Sequence, residues 1–151
     1  MATRRMAFIC TGNICRSPMA AALAERRCKE LGIAAVIISA GTLNLVGHKA
    51  DQMAITALEE VGVSLEGHRS QGVNNPIVWM ADHVVVMAPR HAAELLKLRP
   101  QLGPKIVRLW EFHPTPITQI DDPVGAELEV FQECRDVIIR CLDGWLATLT
   151  A

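Results

Sequence analysis

Residues 8–20 read Phe8-Ile9-Cys10-Thr11-Gly12-Asn13-Ile14-Cys15-Arg16-Ser17-Pro18-Met19-Ala20, FICTGNICRSPMA. An apolar run ends at Cys10, a Gly-Asn pair follows, and a helix start signal comes next. The apolar Met6–Cys10 is a short buried strand. Ser17 is the expected N-cap, Pro18 the first helical position, and Gly32 stands just past the end of a helix over Pro18–Leu31. A strand that feeds a helix through so short a turn is the opening unit of an α/β fold.

Working outward, the same alternation continues. Ala35–Ser39 reads as the second strand, and Asp51–Val61 as a helix closed by Gly62. Asn74–Ala81 is a short helix or turn opened by Asn-Pro. His83–Ala88 is the third strand, Pro89–Leu98 a helix stopped before Pro100, and Lys105–Trp110 the fourth strand. Glu111–Gly125, with three prolines, is irregular. Ala126–Leu149 is a long final helix whose apolar residues Leu128, Phe131, Cys134, Ile138, Cys141, Trp145 and Leu149 recur every three or four positions. Glu127 and Glu129 suit its N-terminal dipole, whereas Gly144 weakens its interior. The expected architecture is a single α/β domain over 1–151: a four-stranded parallel sheet flanked by helices, with the Cys10–Arg16 loop after the first strand. Ligands of such sheets lie at the carboxyl ends of the strands, where Cys10 stands.

Composition narrows the function. The 151 residues are 50% hydrophobic and 21% charged, which is globular and ordered. A net charge of −1 without a basic stripe argues against a nucleic-acid partner. The longest apolar runs, 33–38 and 84–88, are too short to span a membrane. Arg4 and Arg5 precede an apolar stretch that polar residues interrupt from Cys10 to Ser17, which is not the core of a secretory signal. Five cysteines, an odd number, point to free thiols in a reducing compartment, the cytoplasm. No spacing of cysteine or histidine fits a metal, and no cofactor is implied.

Two segments match Cys-x5-Arg. Cys134–Arg140 falls inside the final helix, lacks glycine, and has its amides committed to helical bonds; it reads as a core cysteine plus a surface arginine. Cys10–Arg16 differs in context. Gly12 takes positive φ freely and Asn13 tolerates it, so successive N–H groups of Thr11, Gly12, Asn13, Ile14, Cys15 and Arg16 can turn inward as an anion nest. The following helix adds positive potential, and the guanidinium of Arg16 matches two phosphoryl oxygens. That setting favours a thiolate at Cys10, on the floor of a phosphate-shaped cup. Oxidation of Cys10 is expected to be captured by Cys15 as a reversible disulfide, which would make the protein redox-sensitive. The plainer reading is that Cys15 packs beneath the loop.

CTGNICRSP resembles the signature of the low-molecular-weight protein tyrosine phosphatases. Ser39-Ala40-Gly41-Thr42, Gly67-His68-Arg69-Ser70 and Ile120-Asp121-Asp122-Pro123 resemble three further segments of that family in the same order. The resemblance implies that Cys10 is the nucleophile and forms a phosphocysteine, that Arg16 and the loop amides bind phosphate, and that Ser17 assists the thiolate as leaving group. It also implies that Ser39 and His68 hold Asn13 in an unusual conformation and that Asp122 is the general acid. The substrate would be a protein phosphotyrosine. Phosphoryl transfer to a thiolate does need a proton for a phenolate leaving group. Asp122 is preferred over Asp121 because Pro123 stiffens the chain after it.

The chain departs from that family in places. There is no tyrosine. Val124 and Gly125 stand where aromatic residues usually follow Asp-Pro, Leu43–Val46 lacks an aromatic residue, and Met87 is followed by Ala88-Pro89 rather than Asp. Three other readings share the cup. A protein-arginine phosphatase resembles this chain but carries Thr where Ile14 stands. A thiol-dependent arsenate reductase would need a cysteine pair; Cys134 and Cys141 lie two helical turns apart, about 10 Å, too far to bridge. A phosphate-binding module without activity would need neither Cys10 nor Asp122.

Overall fold

The computed structural model describes residues 2–150. Four strands form one parallel sheet in the order β2-β1-β3-β4: β1 Arg4–Cys10, β2 Ala35–Gly41, β3 His83–Val86 and β4 Ile106–Arg108. Met6 of β1 pairs with Ile37 on one side and His83 on the other. Met6 to Cys10 and Val84 to Val86 are buried without alternation. Successive side chains leave opposite faces of a strand, so both faces of the central sheet are covered, as a parallel sheet requires.

Four helices do the covering. They are α1 (Arg16–Leu31), α2 (Gln52–Glu59), α3 (Pro89–Leu98) and α4 (Leu128–Ala147). α1 packs on β1, β2 and α4, α2 packs on α4, and α3 lies against β3 and β4. Trp145 of α4 sets its ring edge-on to Phe8 of β1 at a centroid distance of 6.3 Å. Gly144, which weakened the helix on propensity, has a packing reason. A Cβ there would stand 2.5 Å from the carbonyl oxygen of Phe112, so α4 and the 3₁₀ turn Leu109–Phe112 can approach only over a bare backbone.

Several boundaries move for identifiable reasons. α1 starts at Arg16, so Ser17 lies inside its first turn and Cys15 takes the cap position without a side-chain cap bond. Pro18 becomes the third helical residue, where its missing N–H still costs nothing. β2 continues to Gly41 because Cys10 pairs with it. β4 ends at Arg108 and gives way to the 3₁₀ turn. α2 is capped by Asp51, whose carboxylate accepts the Met53 N–H. Strand order reverses about β1: its chain neighbour β2 lies on one side and β3 on the other. The crevice at such a switch point lies at the carboxyl ends of the strands, just beyond Cys10 and Val86.

Candidate active site

The loop from Cys10 to Arg16 curls around the sulfur of Cys10. Asn13 carries the strain: its φ is +59°, whereas Gly12 has no positive φ, so of the two residues able to take the left-handed position the asparagine takes it. The side chain of Asn13 explains why. It is fully buried, and its amide Nδ2 donates to Ser17 Oγ at 2.8 Å and Ser39 Oγ at 2.9 Å. Its Oδ1 accepts the Gln71 N–H at 2.9 Å, and its carbonyl accepts from His68 Nε2 at 2.7 Å. Four partners from β2, α1 and the 68–71 loop thus fix one residue in αL, at a cost that glycine would have avoided without supplying any of the side-chain bonds.

The consequences converge on Cys10. The Asn13 N–H points at Cys10 Sγ at 3.3 Å, and Ser17 Oγ lies 2.9 Å from the same sulfur. Because Asn13 Nδ2 already donates to Ser17 Oγ, the Ser17 proton is free to be directed at sulfur. Ser17, buried, is therefore a hydrogen-bond partner of Cys10 rather than a helix cap. Burial, helped by Arg69, lowers the pKa of His68 against the opposing bond to Asn13, so the ring is held neutral with its proton on the Nε2 that faces the carbonyl.

Arg16 is 2% exposed. One terminal nitrogen donates to the Ile120 carbonyl at 2.9 Å; the other lies 3.4 Å from both Asp122 Oδ2 and Thr11 Oγ1. Its Nε is buried with no hydrogen-bond partner among the described residues. A buried guanidinium N–H without an acceptor is costly and fits a site that takes an oxyanion. Asp122 is brought in by a loop that Ile120 pins to the sheet, its N–H bonding the Met87 carbonyl at 2.9 Å. Asp121 is turned instead toward Gln119, which donates to its Oδ1.

Cys10, Thr11, Ile14, Arg16 and Asp122 line one cleft of about 160 Å³. Leu43, Leu45 and Val124 form its aliphatic walls, with no aromatic ring among them. Cys15 lies in the same loop, 3% exposed, and burial pushes its thiol well above the ordinary range. Burial likewise raises Cys134 to about 12 and Cys141 to about 11, so neither is a ready nucleophile, and all five cysteines are free thiols.

Two contributors escaped the sequence reading. Gln71 bonds Asn13 Oδ1 through its N–H and the Ser39 carbonyl through Nε2, and it stands one residue beyond the Gly67–Ser70 segment that was legible. His91 is fully buried beneath Thr11. Its Nδ1 accepts the Ala88 N–H at 3.1 Å, and its Nε2 lies 3.0 Å from Thr11 Oγ1. Burial, with Arg16 and Arg90 nearby, lowers its pKa to about 3, so the ring is neutral and Nε2 is the donor.

A parallel sheet whose first strand ends in a buried cysteine, followed by a loop that closes on a buried arginine at the start of the next helix, defines the class of α/β proteins built around a Cys-x5-Arg loop. Within it, the chain belongs to the low molecular weight phosphotyrosine protein phosphatase family, whose model matches residues 5–151. A probable low molecular weight protein-tyrosine-phosphatase, EpsP, from Ralstonia solanacearum is 32% identical over 143 residues, covering 95% of this chain and 94% of its own. A protein-arginine-phosphatase from Geobacillus stearothermophilus is 35% identical over 140 residues, covering 92% and 91%. Among solved structures, a mutant of YwlE from Bacillus subtilis superposes with a TM-score of 0.91 at 27% identity, covering 98% of this chain and 99% of that one. No helix among the described residues is long and apolar enough to cross a membrane.

Proposed function

We propose that the protein hydrolyses phosphotyrosine in proteins through a phosphocysteine intermediate. The observation that carries the reading is the buried sulfur of Cys10, with Ser17 Oγ at 2.9 Å and the Asn13 N–H at 3.3 Å, in the same cleft as Arg16 and Asp122. Donors aimed at a sulfur stabilise it as a thiolate, both as attacking group and as leaving group. Cys10 Sγ attacks phosphorus in line as the P–O bond to the ring breaks. Arg16 and the loop N–H groups hold the equatorial oxygens, and Asp122 gives its proton to the departing phenolate. Water then attacks phosphorus, Asp122 takes its proton, and the S–P bond breaks to return the thiolate. Ser39, His68 and Gln71 act through Asn13, by holding the loop. Five unbridged thiols suit a cytoplasmic setting, where such a nucleophile stays reduced.

A second reading, protein-arginine phosphatase, is favoured by the Geobacillus relative. Ile14 weighs against it: an aliphatic side chain lining the cleft offers no acceptor to the N–H groups of a phosphoarginine. The test is hydrolysis of p-nitrophenyl phosphate and of phosphotyrosine peptides by wild type and Cys10→Ser. The expected result is turnover in wild type, and in the variant loss of all but a few per cent of it with vanadate binding retained. Substantial turnover by Cys10→Ser would refute the mechanism.

A further inference from the structure

One cation at the cleft has no part in the chemistry above. Arg90, exposed in the first turn of α3, places a terminal nitrogen 3.0 Å from Thr11 Oγ1. That oxygen already faces Arg16 at 3.4 Å and the His91 Nε2 donor at 3.0 Å. Thr11 lines the cleft, so Arg90 stands at its rim, tied to the cup through a single hydroxyl. The tie occupies one of its five N–H donors. No carboxylate among the described residues lies within ion-pair distance of it. The local chain supplies none either: residues 87–93 read Met-Ala-Pro-Arg-His-Ala-Ala.

The remaining walls select weakly. Leu43 and Val124 are 61% and 55% exposed and offer a phosphotyrosine ring only aliphatic contact. Selection among phosphorylated chains therefore falls to groups at the rim. A guanidinium held by one bond and otherwise open is suited to a carboxylate, and charges at a binding rim act on specificity and encounter more than on chemistry.

We propose that Arg90 is a specificity-determining residue that recognises an acidic side chain flanking the phosphotyrosine of the substrate. The proposal rests on the phosphotyrosine reading above. The substrate class is thereby narrowed to acidic phosphopeptide segments. Thr11 fixes the guanidinium relative to the cup, so the flanking carboxylate is met at a set position rather than by diffuse attraction.

The experiment compares kcat/KM for three phosphotyrosine peptides whose flanking residues are Glu, Gln or Lys, alongside p-nitrophenyl phosphate. Wild type should favour the Glu peptide over the Gln peptide roughly two- to fivefold, the range of an exposed ion pair. That preference should fade as salt shortens the screening length. Arg90→Gln should bring the ratio to about one, Arg90→Glu should invert it toward the Lys peptide, and Arg90→Lys should restore part of it. A merely structural role would not produce the inversion. Equal kcat/KM for the Glu and Gln peptides in wild type overturns the proposal while leaving the phosphatase reading intact. An equal fractional loss on all four substrates in Arg90→Gln also overturns it, because Arg90 would then be binding the phosphoryl group itself. Wild type that leaves every phosphotyrosine substrate and p-nitrophenyl phosphate uncleaved overturns the phosphatase reading, and the proposal with it.

Discussion

Gly41 provides the sharpest test of whether the cup must be held where it is. It ends β2 opposite Cys10, and a Cβ built on it would stand 2.6 Å from the Thr11 carbonyl oxygen, 3.0 Å from the Asn13 nitrogen and 3.0 Å from the Gly12 carbonyl carbon. All three are backbone atoms of the loop, so no side-chain rotation relieves the contact. Thr11 O is also bound by the Leu43 N–H at 3.0 Å, and Gly41 itself donates to the Gln71 carbonyl at 2.9 Å. Gly41→Ala must therefore push the loop off β2 by about 0.8 Å to reach ordinary van der Waals distance. A misplacement of about 1 Å in a preorganised site costs roughly a hundredfold in rate, or about 2.7 kcal/mol of barrier. Overpacking of this kind also lowers stability by about 1–3 kcal/mol. The expected result is a kcat for p-nitrophenyl phosphate about two orders of magnitude below wild type, with a protein that still unfolds cooperatively. The control is Gly103→Ala, whose Cβ would meet only Leu96 Cδ2 at an unstrained 3.8 Å. If Gly41→Ala is folded and within threefold of wild type, the loop geometry is not what the rate depends on.

Asp122→Ala, assayed on aryl phosphates of graded leaving-group pKa, should show a steep dependence where wild type shows a shallow one; an unchanged slope, or a larger effect from Asp121→Ala, assigns the acid elsewhere. Ile14→Thr should raise the phosphoarginine-to-phosphotyrosine ratio of kcat/KM roughly ten- to a hundredfold, since a hydroxyl in the cleft can accept an N–H that isoleucine leaves unpaired; wild type that cleaves both equally refutes the selector role. His91 binds its proton only near pH 3 in the native state but near 6.5 when unfolded, so the unfolded chain holds more protons between those values and stability falls as pH drops through that window. His91→Gln should flatten the decline by up to about 1.4 kcal/mol per pH unit in urea unfolding from pH 4 to 7; an identical slope means His91 is not held neutral.

The sequence alone determined the elements that depend on neighbours along the chain. The β1–loop–α1 unit, the alternation of strands and helices, and the placing of Cys10, Thr11, Gly12, Asn13, Ile14, Cys15 and Arg16 in one turn all follow from a contiguous stretch whose backbone preferences are local. Asp122 was singled out because its segment is distinctive and Pro123 adjoins it, and the structure sets it in the cleft beside Arg16. Ser17 misled as a cap, since a serine before a proline carries the same local signal whether its hydroxyl closes a helix or faces a sulfur; only the approach of Asn13 and Cys10 decided which. Backbone preference alone left Gly12 and Asn13 both able to take the left-handed position, and it went to the residue whose side chain has partners from β2 and the 68–71 loop. Gln71, Arg90 and His91 reach the loop from 58, 79 and 80 residues away. No periodicity or spacing encodes such meetings. They arise when the strand order 2-1-3-4 sets the ends of β1, β2 and β3 side by side, and packing then chooses the side chains that complete the cup.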